Sequence, residues 1–428
     1  MRVPEDDSVK SLVDNLFRHE SGKLIAVLTR TFGPKNLELA EDVVQDTLLK
    51  ALEYWKFHGA PDNPSAWLFT VARNKALDVI RREKHKKEFA EDLNALLKSE
   101  YSAGITLNHF INENEIQDEQ LQMMFVCCHP SLPEEGQVAL VLKTLCGFSV
   151  AEIAKAFLTS EETITKRLYR AREQFRNENI RFEIPQLIDL PARLESVLTA
   201  IYLVFNEGYN SSSHDLVIRE DLVEESLRLT HFLINNKITC QPNALALMAL
   251  LCFHAARLHS RVDDQHRLLT LRHQDRSKWN SDLIEQGKLF LNQACEGDVA
   301  STYHVEAAIV YEHCVAPDFT STNWKKILEL YDLLFQIKPN AMVALNRAVI
   351  IAELQGPTAG LAALEKIENL DALKNYYLLP AVRGEFYFNT NNKKEALQNW
   401  ELALTLTSSQ AEKELLREKI SKVKLSVS

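Results

Sequence analysis

The residues best suited to chemistry in this 428-residue chain lie on a basic segment around position 170. Thr165, Lys166, Tyr169 and Arg170 share one face of a predicted helix, and Arg167 and Arg172 lie at its flanks. All six side chains can donate hydrogen bonds. Arginine and lysine pair with guanine edges and with phosphates, and tyrosine offers both a ring and a hydroxyl. The segment therefore predicts a contact with duplex DNA rather than a catalytic centre.

The sequence around these side chains predicts a helix-turn-helix. Residues 132–175 predict a helix, a break at Gly147, a short helix, a turn and a basic helix, and the second helix of such a motif enters the DNA major groove. The inward face of the basic helix is an apolar stripe formed by Ile164, Leu168, Ala171 and Phe175. The alternative is an ordinary amphipathic helix with a solvated basic face. The turn and the charge asymmetry favour the helix-turn-helix.

A second basic helix is predicted over residues 65–87, with Ser65 as its cap. Trp67 and Phe69 lie near its start and Asn74 follows. Its basic end contains Arg81, Arg82 and Lys84. Bases of melted DNA stack on aromatic rings while cations hold the backbone, and an asparagine can hydrogen-bond to an extruded base. The alternative is that both aromatic residues belong to the core beside a solvated basic face.

Composition predicts a soluble, all-α protein of two or three domains. Hydrophobic residues make up 46% and charged residues 25%, with only 12 glycines and 13 prolines. The formal net charge is −10, yet seven basic residues lie between Arg73 and Lys87 and five between Lys166 and Arg176. Because the distribution of charge matters more than its sum, a local DNA contact is compatible with an acidic protein.

No motif predicts catalytic residues, a cofactor or a metal site. The chain lacks a Gly-rich phosphate loop, G-x-S-x-G and H-E-x-x-H. The adjacent Cys127 and Cys128 lack C-x-x-C spacing, which favours buried small hydrophobic residues over zinc ligands. With no signal peptide and no apolar run of about 18 residues, we expect a cytoplasmic protein that has reduced thiols and no membrane contact.

Changes of composition divide the chain into four segments. Residues 8–87 form a helical block, and residues 88–119 are an acidic, irregular linker. Residues 120–181 contain the helix-turn-helix, and residues 190–428 form a helical extension. The linker would allow the two basic helices to contact separate parts of one DNA site.

The extension is similar to tetratricopeptide (TPR) repeats from about residue 324, where helical pairs recur at a period of about 34 residues. The positions that fit this pattern are Tyr331, Leu334, Pro339, Ala348, Ile351, Gly360, Leu364, Ile367, Gly384, Tyr387, Ala396, Trp400 and Ala403. The alternative is a non-repetitive helical bundle. Because TPR arrays bind peptides and partner helices on a concave surface, a protein or peptide partner is expected.

The ordered combination of several motifs indicates one protein family far more specifically than any single motif does. AEDVVQDTLLKAL (40–52) is similar to sigma region 2.2, NPSAWLFTVARNKALDVIRRE (63–83) to regions 2.3 and 2.4, and residues 133–176 to region 4. MMFVCCHPSLPEE (123–135) and YLVFNEGY (202–209) are similar to segments of a subgroup with a C-terminal TPR-like extension. The chain thus resembles a sigma-70-type RNA polymerase sigma factor of the extracytoplasmic function (ECF) group.

This resemblance implies a role for each predicted site. The residues implied in binding the β′ clamp helices of core RNA polymerase are Asp42, Gln45 and Asp46. Those implied in recognising and melting the −10 promoter element are Trp67, Asn74, Arg81, Arg82 and Lys84. Thr165, Lys166, Tyr169 and Arg170 match base-facing positions at the −35 element, with Arg167 and Arg172 nearer the backbone. Region 4 would also contact the β flap, and the extension would modulate activity.

Two alternatives stay open at the level of sequence. A one-component, ligand-sensing helix-turn-helix regulator would also combine a DNA reader with a helical domain, although it leaves residues 40–52 and 63–83 unexplained. In YLVFNEGY, Asn206 and Glu207 are polar residues in an apolar helix. They predict either a buried polar network, which we favour, or part of a ligand site.

Overall fold

The computed structural model describes residues 6–84, 113–157, 159–178, 180–210, 218–263, 265, 267–297, 299–407 and 409–425. Within these residues the regular structure is helical, and an isolated antiparallel bridge between Val262 and Leu268 is the only strand-like pairing. The predicted all-α class is confirmed. No helix of the described residues is both long enough and apolar enough to cross a membrane.

The chain divides into two compact units. The first comprises residues 1–204 and 224–239, and the second comprises residues 205–223 and 240–428. The first unit therefore extends beyond residue 190, where the sequence predicted the start of the extension, and it takes in a second piece of the later chain.

The helices that begin in the first unit are α1 (Asp6–Phe32), α2 (Leu37–His58), α3 (Pro64–Lys84), α4 (Glu113–Cys127), α5 (Glu134–Thr144), α6 (Val150–Ala156), α7 (Glu161–Asn177) and α8 (Leu190–Tyr209). Helix α9 (Glu220–Asn235) begins in the second unit and ends in the first. Helix α1 packs against α2 and α4, and α5 packs against α7. These contacts bring the two predicted basic helices, α3 and α7, into the same unit.

Two local predictions need correction. The segment 88–119 was predicted to be irregular, but α4 begins at Glu113; residues 85–112 lie outside the described part of the chain. The buried Glu119 forms an ion pair with Arg30, so a tertiary contact orders the end of this acidic segment. Helix α3 begins at Pro64, and the Asn63 side chain rather than Ser65 caps it, because Asn63 Oδ1 accepts a hydrogen bond from Ala66 N at 2.9 Å.

Helix α7 forms for reasons that are visible in its own sequence. The Ser160 side chain accepts a hydrogen bond from Thr163 N, and Glu161 and Glu162 occupy the first turn, where negative charge is favourable. The predicted apolar stripe is buried throughout: Ile164, Leu168, Ala171 and Phe175. Because this stripe faces α5, the polar side of α7 is turned outward.

The second unit consists of helices that pack against their neighbours along the chain. They are α10 (Pro242–Ala256), α11 (Ser281–Ala294), α12 (Thr302–Val315), α13 (Trp324–Ile337), α14 (Ala341–Gln355), α15 (Pro357–Glu365), α16 (Leu378–Asn389), α17 (Lys393–Leu406) and α18 (Gln410–Leu425). Helix α16 packs closely on α17, because a Cβ atom at Gly384 would lie 2.4 Å from Trp400 Cδ1. Buried Ala396, Trp400 and Ala403 share one side of α17.

Candidate nucleic-acid interface

Four of the predicted DNA-facing side chains are exposed on one side of α7. Tyr169 is 58% exposed, and Arg170 lies beside it with no ion pair in the described part of the chain. Thr165 and Lys166 lie on the same side, and Lys166 Nζ is 2.7 Å from an exposed Glu162 carboxylate. This pair costs little to separate, since exposed ion pairs contribute between about 0 and 1 kcal/mol. The four side chains are exposed, and their contact with DNA stays a prediction.

The other two predicted DNA contacts on α7 are held against the protein. Arg167 Nη2 lies 2.6 Å from Glu135 Oε2, and its guanidinium is 5.5 Å from the centre of the Phe157 ring. Arg172 Nη2 lies 3.0 Å from Glu41 Oε2 of α2. Both arginines are half-buried. Their contact with phosphate stays a prediction, and it requires each arginine to leave its carboxylate partner.

Helix α7 is tied to the block of α1 and α2 at several points. Arg176 Nη2 lies 2.6 Å from Glu38 Oε1, one turn from the pair made by Glu41. Burial raises the pKa of Glu41, and the nearby Arg172 opposes that rise. Close packing of α1 also involves the end of α5, because a Cβ atom at Gly22 would lie 2.1 Å from the carbonyl oxygen of Leu145. The segments resembling regions 2 and 4 are therefore packed together in this conformation.

The outer side of α2 carries the predicted polymerase-facing residues. Asp42, Gln45 and Asp46 are all exposed. Leu49, 58% exposed, and Leu52, 41% exposed, continue along this helix. Sequence reasoning missed these leucines because apolar residues at helical spacing are usually assigned to the core. An acidic surface that also presents exposed leucines is suited to bind a protein partner.

Aromatic residues cluster where α2 and α3 meet. The Trp67 ring is half-buried and stacks on Tyr54 with 5.7 Å between ring centres, while Trp55 packs against it at 5.4 Å. Phe57, at the end of α2, is 80% exposed, and Tyr54 is 46% exposed. Sequence reasoning missed Tyr54 and Phe57, whose only signal was their position just before a loop rich in helix-breaking residues. The cluster offers partly exposed rings on which unpaired bases could stack.

The polar side chains of α3 follow this aromatic cluster. Asn74 and Arg82 are exposed. Arg81 and Lys84 lie within α3, but their side chains fall outside the described residues. Lys75 Nζ lies 3.0 Å from Asp46 Oδ2, which links α3 to the outer side of α2. An exposed amide therefore lies between partly exposed rings and a cation on the same helix.

The paired cysteines lie inside the first unit, away from these surfaces. Cys127 and Cys128 have no exposed surface, as predicted for small hydrophobic residues. Burial raises the pKa of the Cys127 thiol to about 12, and it raises the pKa of the Cys128 thiol well above its ordinary value, so both are protonated near neutral pH. Among the described residues, no group of three or more His, Cys, Asp or Glu side chains could hold a metal ion.

Family models match three successive parts of the chain. Sigma-70 region 2 matches residues 16–86, and Sigma-70, region 4 matches residues 122–175. A family of unknown function (DUF6596) matches residues 193–295. The first two matches cover α2, α3 and α7, which carry the exposed side chains described above. The TPR-like part has no such match among these three models, so this assignment stays a prediction.

Related proteins agree with these matches. An uncharacterized protein of Rhizobium meliloti (strain 1021) is 33% identical over 383 residues, which are 90% of this chain and 89% of that protein. The ECF RNA polymerase sigma-E factors of Escherichia coli (strain K12) and Salmonella typhimurium (strain LT2) are each 28% identical over 138 residues, 32% of this chain and 72% of theirs. No solved structure matches the chain. The chain belongs to the family of the Rhizobium meliloti protein and is a sigma-70 family sigma factor.

Proposed function

We propose that this alternative sigma factor binds core RNA polymerase and directs transcription initiation at promoters that it recognises through their −10 and −35 elements. The observation that carries the proposal is the simultaneous exposure of three sets of side chains on one compact unit. They lie on the outer side of α2, on α3 and on the outer side of α7. Each set has the chemistry that its partner requires.

The −35 element is read by α7 in the major groove. Arg170 donates paired hydrogen bonds to a guanine, and Tyr169 and Thr165 contact neighbouring base edges. Lys166 holds phosphate after its exposed pair with Glu162 separates. Arg167 and Arg172 add backbone contacts once they leave their carboxylates.

The −10 element is melted and trapped by α3. Asn74 hydrogen-bonds to an extruded base, while Trp67 and its aromatic neighbours provide a stacking surface. Arg81, Arg82 and Lys84 hold the phosphate backbone of the opened strands. This mechanism uses binding energy alone, and the protein supplies no catalytic residue.

Core polymerase binds on the outer side of α2 through its β′ clamp helices. Asp42, Gln45 and Asp46 supply the polar contacts, and Leu49 and Leu52 supply apolar area that is exposed in the free protein. Region 4 meets the β flap, which separates it from region 2. That separation breaks the contact of Arg172 with Glu41 and frees Arg172 for DNA.

The helical extension modulates this activity and takes a protein or peptide partner on its TPR-like part. Support comes from its paired helices, whose close approach at Gly384 and Trp400 is typical of stacked repeats. A deletion from residue 190 is a poor test, because the first unit itself includes residues 190–204 and 224–239. Point substitutions in the full chain are preferable.

Run-off transcription with core polymerase on a randomised promoter library tests the proposed function. The full chain should select templates that share two spaced elements, and a variant with Asp42→Ala, Gln45→Ala and Leu49→Ala should lose transcripts while keeping its fold. A matched control, Glu285→Ala, changes an exposed carboxylate of the second unit and should retain activity. Tight binding of duplex DNA without polymerase, together with no transcripts, would instead support a one-component regulator.

A further inference from the structure

The second unit contains a cavity of about 950 Å³ between the irregular segment 263–273 and helices α14, α16 and α18. Small-molecule sites commonly measure about 300–1,000 Å³ and combine apolar walls with a few polar groups. The apolar walls here include Leu269, Trp324, Leu378 and Trp400. Its size and walls therefore suit an organic molecule.

Most charged side chains of this cavity are already compensated by one another. Four ion pairs involve its lining residues: Arg267 with Asp263, Arg272 with Glu353, Lys419 with Glu385, and Lys422 with Glu418. These pairs leave no surplus charge on the part of the wall that they form. A further wall carboxylate, Glu412, accepts hydrogen bonds from the hydroxyl groups of Tyr377 and Thr407, so an anionic ligand would have to be recognised away from it.

His313 is a lining group of a different kind. It is only 8% exposed, and its Nδ1 atom is buried with no hydrogen-bond partner in the described part of the chain. Its ring meets Trp324 edge-on, with 5.4 Å between ring centres. Burial, together with the positive charges of Arg257 and Arg276, lowers the pKa of His313 to about 3. The cavity wall thus includes an imidazole that lies in a positive field.

The source of that field is a group of arginines whose hydrogen bonds end on neutral oxygen atoms. Arg257 Nε donates a hydrogen bond to Tyr209 Oη at 2.8 Å. The buried Arg261 donates to the carbonyl oxygen of Tyr209, and its Cζ atom lies 3.7 Å from the centre of the Tyr209 ring. His254 packs edge-on against Tyr209, and its buried Nδ1 also has no hydrogen-bond partner among the described residues. The YLVFNEGY motif therefore reaches this cluster through Tyr209.

Arg276 belongs to the same cluster and contacts the backbone of His313. Its Nη1 donates to the carbonyls of His313 and Ala316, both at 2.7 Å, and its Nη2 donates to Thr322 Oγ1 at 3.1 Å. In the described part of the chain, no carboxylate forms an ion pair with Arg257, Arg261 or Arg276, in contrast to the four pairs of the cavity wall. The negative charge of Asp318 favours the charged form of Arg276, but the two side chains do not form an ion pair.

Arg261 is buried, and Arg257 and Arg276 are half-buried. A charge that is largely removed from water is normally compensated by an opposite charge, and an arginine cannot escape the cost by losing its proton. We propose that this cavity binds a small organic anion. Its carboxylate or phosphate group is held at His313, where Arg257 and Arg276 supply the positive field, and its apolar part lies against Trp324 and the neighbouring apolar wall. This ligand site is additional to the promoter and polymerase contacts proposed above, and it does not depend on them.

Isothermal titration of the full chain tests the site with defined probes. Benzoate and phenyl phosphate present the two acid groups on an apolar ring, acetate and inorganic phosphate present the acid groups almost alone, and benzyl alcohol presents a ring without charge. One ring-bearing anion should bind at one molecule per chain, more tightly than its small counterpart, and benzyl alcohol should not bind. The tighter of the two ring-bearing anions identifies the acid group.

Substitutions compare two residues of the proposed site with a paired arginine outside the cavity. Arg257→Gln and His313→Gln should each weaken binding by about tenfold or more, as expected when a charged hydrogen bond or its field is lost. Arg347→Gln is the matched control, because Arg347 is paired with Asp332 outside the cavity; it should bind as the wild type does. Failure of all four anions to bind at millimolar concentration, or an equal loss in Arg347→Gln, would overturn the proposal.

Thermal unfolding gives a second readout that does not require high affinity. The bound anion should raise the melting temperature of the wild type and of Arg347→Gln by similar amounts, and that of Arg257→Gln by less. Equal protection of all three proteins would show that the anion binds elsewhere, and it would contradict the site.

Discussion

The guanidinium of Arg172 lies 3.0 Å from the carboxylate of Glu41, so the helix predicted to read DNA is joined to the helix predicted to bind polymerase. Their side chains are 21% and 12% exposed, whereas those of the neighbouring Arg176 and Glu38 are both 48% exposed. Solvent screens the second pair more strongly than the first. The Arg172–Glu41 pair is therefore the stronger tie between the two helices.

A double-mutant cycle should measure this difference. We expect a coupling free energy of about 1–3 kcal/mol for Arg172→Met with Glu41→Gln, because each single change leaves a buried charge without its partner. The same cycle with Arg176→Met and Glu38→Gln should give less than about 0.5 kcal/mol. Urea unfolding of the four single and two double variants measures both. Equal coupling in the two pairs would contradict the assigned difference in burial.

Arg170 is expected to determine specificity at the −35 element. Arg170→Ala should weaken binding of polymerase holoenzyme to its preferred promoter by about 1–3 kcal/mol and reduce discrimination at one base pair. Because Arg170 is exposed, the melting temperature should stay near that of the wild type. Competition binding with promoters mutated singly in the −35 element measures the effect. Unchanged discrimination would show that another residue of α7 faces that base.

Asn74 is expected to act in promoter opening rather than in duplex binding. Asn74→Ala should leave the affinity for a −35 duplex unchanged in the holoenzyme and slow the appearance of permanganate-reactive thymines in the −10 element. A template that already contains an unpaired −10 bubble should restore part of the transcription. Loss of duplex binding in this variant would place Asn74 outside the melting step.

Gly384 is expected to be essential for the packing of α16 on α17. In Gly384→Ala the new Cβ atom would lie 2.4 Å from the Trp400 ring, so helix or indole must shift, at a cost of about 1–3 kcal/mol or more. Gly136→Ala is the control, since its Cβ atom would make only an ordinary contact at 3.5 Å with Ala171 in a helix that favours alanine. Denaturant unfolding compares the two. A stable Gly384→Ala would contradict the close approach.

The stability of the second unit should depend on pH through His313. The pKa of His313 in the folded protein is about 3, well below its ordinary value of 6.5. Between these two pH values the imidazole binds a proton in the unfolded chain but stays neutral in the folded chain. The free energy of unfolding should therefore fall as pH falls from about 6.5 toward 3, by up to about 1.4 kcal/mol per pH unit for this group. The depressed pKa of His254 acts in the same direction. Urea unfolding between pH 7 and 5 should show that the free energy of unfolding depends less steeply on pH in His313→Gln than in the wild type. An equal dependence in the two proteins would exclude the buried neutral imidazole.

Local pattern was enough to predict the basic helix α7 and its inward face. The stripe from Ile164 to Phe175 recurs at helical spacing, and each of its residues is buried, because one helix must turn its apolar side toward the core whatever lies opposite. The same reasoning predicted the exposure of Asp42, Asn74 and Arg170. Such features depend on residues that are near one another in sequence.

The tertiary structure decided which residues that are far apart in the chain contact one another. Spacing within α7 assigned Arg172 to DNA, but its partner Glu41 lies 131 positions earlier, and no periodicity within either helix reveals their meeting. The helical start at Glu113 and the arginine cluster beside His313 likewise depend on contacts with distant segments. Sequence by itself determined which side chains this sigma factor could offer to DNA and polymerase. Folding determined which of them are free and which are held by another part of the chain, because the compensation of a charge depends on its neighbours in space.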